Sequence, residues 1–163
     1  MKQILVKNAN IIDGTGKPAF KGHVLVKGMR IESILKNNDS IPSVDKVIDV
    51  SGNTVSPGFI DIHSHLDWVI PHTDHAELTK SFLEQGITTV VAGNCGASPA
   101  PYRKHLEELG TKLFLFTGGR KFSPTWESMG EFLDYLIQVK PSLNIAQLVG
   151  HGNVHHIVSD KKQ

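Results

Sequence analysis

The sequence predicts an α/β protein in which a segment of short strands precedes strand–helix units that build a parallel sheet. Three observations support this. Before Pro57 the apolar runs are brief, β-rich and interrupted by glycine-containing turns. After Pro57, apolar runs alternate with helical segments. The run Ile87-Thr88-Thr89-Val90-Val91-Ala92 has the β-branched continuity of a strand buried on both faces. The expected organisation is therefore residues 1–56 as the short-strand segment and residues 57–163 as three βα units.

In chain order, residues 3–7 and 9–12 read as strands, stopped by Asp13-Gly14-Thr15-Gly16. Residues 22–27 and 30–35 flank Gly28-Met29, a tight hairpin turn. Residues 47–50 and 54–56 straddle Ser51-Gly52-Asn53. These pieces should form a small antiparallel sheet with one buried face, too small to stand comfortably alone. Residues 59–65 form the next strand. A helix over 77–85 follows, with Asp74 and Glu77 spaced as an N-terminal capping box and Gly86 as the stop. The strand over 87–92 leads into an irregular stretch with a short helix at 103–109 and an apolar patch at 113–116. Ser128-Met129-Gly130-Glu131 has capping-box spacing for a helix over 131–140, closed by Pro141. A third buried strand spans 144–149 and ends at Gly150-His151-Gly152.

Bulk properties exclude several function classes. The chain has 163 residues, enough for an ordinary core. Lys+Arg number 17 against 16 Asp+Glu, a formal net charge of +1, which steers it toward neither nucleic acid nor anionic lipid. No apolar run approaches the roughly 18 residues of a membrane span. The opening Met1-Lys2-Gln3-Ile4-Leu5-Val6-Lys7 is charged too soon for a secretory signal. A single cysteine, Cys95, rules out an internal disulfide framework and fits a reducing cytoplasm.

The chemistry concentrates at His63 and His65, which follow Pro57-Gly58-Phe59-Ile60-Asp61-Ile62. On a strand, residues i and i+2 project from the same face, so the two imidazoles can chelate one divalent metal. The three strands after Pro57 end in His63/His65, in Asn94-Cys95-Gly96 and in His151. In α/β folds functional residues collect at the carboxyl ends of parallel strands. Cys95 reads either as a small buried hydrophobe or as a thiolate completing a His/His/Cys zinc set. Asp67 can orient an imidazole or contact substrate, or can simply cap a loop. His151 reads equally as a site residue or a turn residue. Asp61 is in phase with the histidines and can also serve local backbone. Surface roles are expected for His72 and His75, a solvated or frayed segment for His155 and His156, and packing for Trp68 and Trp126.

Val55-Ser56-Pro57-Gly58-Phe59-Ile60-Asp61-Ile62-His63-Ser64-His65 resembles the first-strand motif of the amidohydrolase superfamily. Gly86-Ile87-Thr88-Thr89-Val90-Val91-Ala92-Gly93-Asn94-Cys95-Gly96 narrows the likeness to the N-acyl-D-amino-acid deacylase (D-aminoacylase) branch. Leu148-Val149-Gly150-His151-Gly152 and the opening Asn10-Ile11-Ile12-Asp13-Gly14-Thr15-Gly16 resemble that branch too. The resemblance implies a (β/α)8 barrel with a small β-sandwich, of which residues 1–56 supply the sandwich segment. It implies His63, His65 and Cys95 as ligands of one or two zinc ions. It implies hydrolysis of the amide of a small N-acyl-D-amino acid by metal-activated water; Asp67 and His151 stand beside it, from the residues alone, as candidates for substrate contact or support. Leu66 departs from the branch, which often has an acidic or small residue there.

A barrel of this kind needs about 250 residues. The expectation is therefore an N-terminal portion of a deacylase, with its catalytic base downstream of Gln163 and no competent turnover by the chain alone. Two alternatives stand beside it. One is another cyclic-amide amidohydrolase of hydantoinase type, against which Gly93-Asn94-Cys95-Gly96 argues. The other is a non-catalytic metal-binding or oligomerising module, whose open strand edges predict a defined homo-oligomer.

Overall fold

The computed structural model describes residues 1–103 and 124–159. The apolar patch expected at 113–116, and the helix expected at 103–109 apart from Arg103 itself, lie outside the described residues. The chain divides into two compact units, Met1–Pro57 and Gly58–Gln163.

The first unit is one five-stranded sheet: β1 (Gln3–Ile11), β2 (Phe20–Lys27), β3 (Arg30–Lys36), β4 (Lys46–Asp49) and β5 (Thr54–Val55). The order is β3-β2-β1-β4, with β5 also pairing β1. The runs expected at 3–7 and 9–12 are a single strand. Its register shifts between Val6 and Ala9, where Asn8 takes φ 61°. Asparagine tolerates this left-handed geometry better than most residues. Its amide is anchored by His23 Nδ1 at 2.9 Å, and its side chain by Asp49 Oδ2 at 3.0 Å. The hairpin forms as expected, with Lys27 facing Arg30 across Gly28-Met29.

The all-antiparallel expectation fails. β4 and β5 run parallel to β1. From β3 at one edge, the chain returns across the sheet and enters the far side of β1 in the same direction as β1. Ala9, Ile11 and Val24 form the buried centre, packed by Val6, Phe20, Val26, Val50 and Val55. Among the described residues these strands make one layer, and no second sheet completes a sandwich.

The second unit contains β6 (Phe59–Asp61), a 3-10 turn (Leu66–Trp68), α1 (His75–Glu84), β7 (Ile87–Ala92), α2 (Met129–Val139), β8 (Asn144–Gln147) and α3 (His151–Ser159). Its sheet has the order β6-β7-β8 with parallel pairing throughout. Among the described residues this sheet is open, and they form no closed barrel. Leu66, Ile70, Val90, Ala100, Trp126, Phe132, Leu136 and Leu143 make the core. Trp126 lies 4.9 Å from the Phe132 ring and 4.8 Å from Tyr135, and its indole N–H donates to the Pro99 carbonyl at 2.9 Å. Trp68 is also buried. Both tryptophans are packing residues, as expected.

Several boundaries differ from the sequence reading for local reasons. β6 spans three residues rather than 59–65. Asp61 Oδ1 accepts the His63 amide at 3.1 Å, and this side-chain bond turns the chain out of the ladder. Gly58 is required where β6 begins, because a Cβ there would lie 2.1 Å from Thr88 Oγ1. At α1, Asp74 occupies the N-cap but makes no side-chain cap bond, so the expected capping box does not form. At α2 it does form: Glu131 N donates to Ser128 Oγ at 3.2 Å, and Ser128 N donates to Glu131 Oε2 at 2.8 Å. That helix therefore starts at Met129. It ends as Lys140 turns left-handed (φ 53°) ahead of Pro141. Among the described residues no helix is long and apolar enough to cross a membrane.

Two substitutions test this packing by urea unfolding followed through Trp68 and Trp126 fluorescence. Ser128→Ala is expected to cost about 1 kcal/mol through loss of the cap. Phe132→Ala, at a fully buried position, is expected to cost about 3–5 kcal/mol. Equal midpoints for the wild type and Ser128→Ala would show that the cap contributes nothing.

Candidate metal centre

The parallel register of β6 and β7 places their carboxyl ends side by side, and the pairing outlasts the strands. Ser64 donates its backbone N–H to Val91 O at 3.0 Å. Asn94 Nδ2 then donates to Val91 O at 2.8 Å and to Ser64 O at 3.2 Å, stapling the His63-Ser64-His65 segment to the turn after β7. That turn has positive φ at Gly93 (83°), Cys95 (57°) and Gly96 (74°). At Gly93 only glycine fits, since a Cβ would sit 2.2 Å from Leu148 O. A left-handed non-glycine residue costs about 1–2 kcal/mol, and such outliers cluster at functional sites.

Cys95 is exposed, which removes its reading as a buried hydrophobe. His63 Nε2 lies 3.2 Å from Cys95 Sγ, and the His63 and His65 rings are 5.9 Å apart at 68°. One ligand atom from each of His63, His65 and Cys95 can be chosen so that all three lie within 4.8 Å of one another. It is the one group of three or more His, Cys, Asp or Glu side chains so placed among the described residues. The i, i+2 strand argument was wrong in its mechanism, since both histidines lie beyond β6. Their convergence comes from the turn at Asp61 and the Ser64 hydrogen bonds instead. Burial, reinforced by neighbouring His63, holds His65 below the ordinary imidazole value. That favours the neutral ring, the form that binds metals.

The donor set fits zinc. Two imidazoles and a thiolate are zinc ligands, and bonds of their usual lengths space tetrahedral donors about 3.3–3.8 Å apart. The 3.2 Å contact is already near that spacing, and all three donors lie within 4.8 Å of one another. Three protein ligands leave the fourth position open, as catalytic zinc sites do.

Asp67 and His151 lie outside this group. His151 is the exposed first residue of α3, its ring 6.4 Å from that of His155. His155 and His156 belong to the helix rather than to a frayed segment, and both are exposed. His72 and His75 are half-buried rather than on the open surface. Asp61 is half-buried and serves local backbone.

Asp67 is completely buried (0 % exposed). Its Oδ2 accepts from Gln147 Nε2 at 2.9 Å. Burial pushes the carboxyl up to about 7, against the opposing pull of Gln147 and the backbone amides of Asp67, Trp68 and Gly93. Sequence reasoning missed Gln147, the last residue of β8. The available signal was a polar side chain closing an apolar strand, as Asp61 closes β6. It missed Asn94 as a staple, and it missed Ser98 and Asn153, for which no local pattern gives a sign.

The amidohydrolase family profile matches residues 46–161. The chain belongs to the amidohydrolase family. It is D-aminoacylase-like within it. It is 34% identical over 151 residues to an N-acyl-D-glutamate deacylase of Alcaligenes xylosoxydans xylosoxydans, covering 93% of this chain and 29% of that protein. It is 35% identical over 156 residues to a D-aminoacylase of the same organism, covering 95% and 30%. A crystal structure of N-acyl-D-glutamate deacylase from Bordetella bronchiseptica was solved with zinc and a phosphonate inhibitor that mimics the tetrahedral intermediate. It superposes with a TM-score of 0.77 at 33% identity, covering 94% of this chain and 31% of that one. The chain thus spans less than a third of the length of these relatives.

The buried Asp67 carboxyl gives a pH prediction. Its folded value, about 7, lies above its ordinary 3.8. An unfolded chain therefore releases this proton more readily than the folded one. The stabilisation is complete below 3.8 and is lost as pH rises toward and through 7. In metal-free protein, Asp67→Asn should abolish this part of the pH dependence, worth a few kcal/mol at most. Parallel stability profiles for the wild type and Asp67→Asn from pH 4 to 8 would sink the assignment.

Proposed function

We propose that this chain supplies the metal-binding part of a zinc-dependent hydrolase that cleaves the amide bond of N-acyl-D-amino acids. His63, His65 and Cys95 hold one or two zinc ions. The observation that carries this reading is the convergence of a thiol from the end of β7 on two imidazoles from the end of β6. The deacylase relatives, one solved with zinc and a tetrahedral mimic, support it. In this reading Met1–Pro57 belongs to a β-sandwich, and β6, β7 and β8 are the first three strands of a (β/α)8 barrel.

Bound zinc supplies Lewis-acid activation of water and of the scissile carbonyl. The chain's own residues prepare that site. The neutral His65 ring offers a lone pair without first losing a proton. Asn94 holds the segment carrying the two imidazoles at a fixed distance from the thiol. Asp67 and Gln147 link the segment after β6 to the end of β8, keeping three strand ends in register. His151, at the start of α3, is assigned to substrate contact. The general base and most substrate contacts are assigned to residues outside this chain, so the chain alone is expected to be inactive.

Purified chain exposed to zinc and then exhaustively dialysed should retain stoichiometric metal. Cys95→Ala should lower the affinity by at least about tenfold, the scale seen when even a supporting group around a metal is lost. Equal zinc content in the wild type and Cys95→Ala would refute the ligand assignment. The whole protein containing this chain should hydrolyse N-acetyl-D-amino acids in preference to their L-enantiomers. A preference for cyclic amides in the same panel would move the assignment to a hydantoinase-type enzyme.

A further inference from the structure

The geometry points to Asn153 as a positioning residue for Cys95, an inference that rests on reading Cys95 as a metal ligand. Asn153 lies on α3, far from Cys95 in sequence, and is only 2 % exposed, while its neighbours Val154, His155 and His156 are exposed. A buried amide on an otherwise solvated stretch needs partners, and Asn153 has three. Its Oδ1 accepts the Ser98 amide at 3.0 Å. Its Nδ2 donates to Ser98 O at 2.7 Å and to Pro101 O at 3.1 Å.

Ser98, itself 0 % exposed, completes the lock. Its Oγ accepts the Gly150 amide at 2.9 Å and donates to Ala100 O. Gly152 donates its amide to Gly96 O at 2.8 Å. The fit is close: a Cβ on Gly150 would lie 2.7 Å from Asn153 Oδ1, 2.7 Å from Ser98 N and 2.8 Å from Gly96 O. The backbone immediately after Cys95 is thus gripped by the start of α3 through side-chain and main-chain bonds together.

Cys95 itself sits in a left-handed conformation that a cysteine does not favour. Such a conformation persists only when its surroundings over-determine it. Asn94 fixes the residue before Cys95, and the Asn153 clamp fixes the residues after it. Without the clamp the turn can relax to an unstrained backbone, swinging Sγ away from His63. Asn153 touches neither metal nor substrate in this scheme; it acts through the backbone of residues 96–98.

The test uses the 163-residue chain titrated with cobalt(II), whose thiolate charge-transfer absorption reports the Cys95 bond directly. Asn153→Ala should weaken cobalt and zinc binding about 10- to 100-fold and shift or diminish that absorption. Asn153→Asp keeps the size and the Oδ1 acceptor but loses both donors, so it should act in the same direction if Asn153→Ala folds poorly. Leu136→Ala, which removes core packing but none of the clamp's hydrogen bonds, controls for stability loss and should keep the wild-type affinity and spectrum. Wild-type absorption and affinity in a folded Asn153 variant, or the same losses in Leu136→Ala, would overturn the inference. Failure of the ligand reading is separately visible as a Cys95→Ala chain with the wild-type cobalt spectrum. Alkylation of Cys95 in metal-free protein then decides the clamp: a changed rate in Asn153→Ala upholds it and an unchanged rate overturns it.

Discussion

Ser64 donates its backbone N–H to Val91 O at 3.0 Å, and the candidate centre depends on this bond because β6 is only three residues long. Without it, the Asn94 side chain would be left to tie the segment leaving Asp61 to the end of β7. With it, His63 and His65 flank a residue whose backbone is bonded to β7 beyond the end of the ladder. The Asn94 side chain answers by donating to Ser64 O, so the two ligand-bearing segments are cross-linked in both directions. Each such bond is worth only about 0.5–1.5 kcal/mol net. Their value lies in position: they act on the residue between the two imidazoles and the residue before the thiol.

The parts legible in the sequence were those in which local chemistry decides. The β-branched run 87–92 became β7, Gly28-Met29 closed a hairpin, and Ser128 with Glu131 capped α2. The ligand candidates were legible because three residues suited to one metal, two histidines and a cysteine, follow two successive apolar runs. The reading failed where a side chain or a distant segment decides. Asp61 competes with the ladder for the His63 amide, so β6 ended early even though its apolar pattern continues through Ile62. The direction of β4 and β5 depends on how the chain crosses over residues 37–45, which no periodicity records. Asp74 and Glu77 had the right spacing for a capping box, but the backbone at Asp74 (φ −96°, ψ 15°) is not the extended one a cap side chain needs.

The buried polar residues form a second class that sequence alone did not reveal. Asp67, Ser98 and Asn153 are among the most buried side chains of the Gly58–Gln163 unit, in a region otherwise filled by Trp126, Phe132 and Leu136. Burying an amide or a carboxyl without partners is unfavourable, so each is informative where it occurs. Ser98 and Asn153 satisfy one another and the neighbouring backbone. Asp67 accepts from the Gln147 side chain. The first pair therefore reads as architecture around the Cys95 turn. Asp67 instead ties the segment after β6 to Gln147 at the end of β8.

The contact between His63 and Cys95 joins residues 32 apart in sequence, across a single strand–helix–strand crossover. A metal ion held there closes that loop much as a disulfide would. In the chain-entropy picture, a covalent link of that span removes about 3–4 kcal/mol of disorder from the unfolded chain. The ion would thus bear on folding as well as on chemistry. Its first three donors lie within one βαβ unit, so a growing chain can capture metal before any later strand is made. A bound ion would then tie the end of β6 to the end of β7 independently of β8.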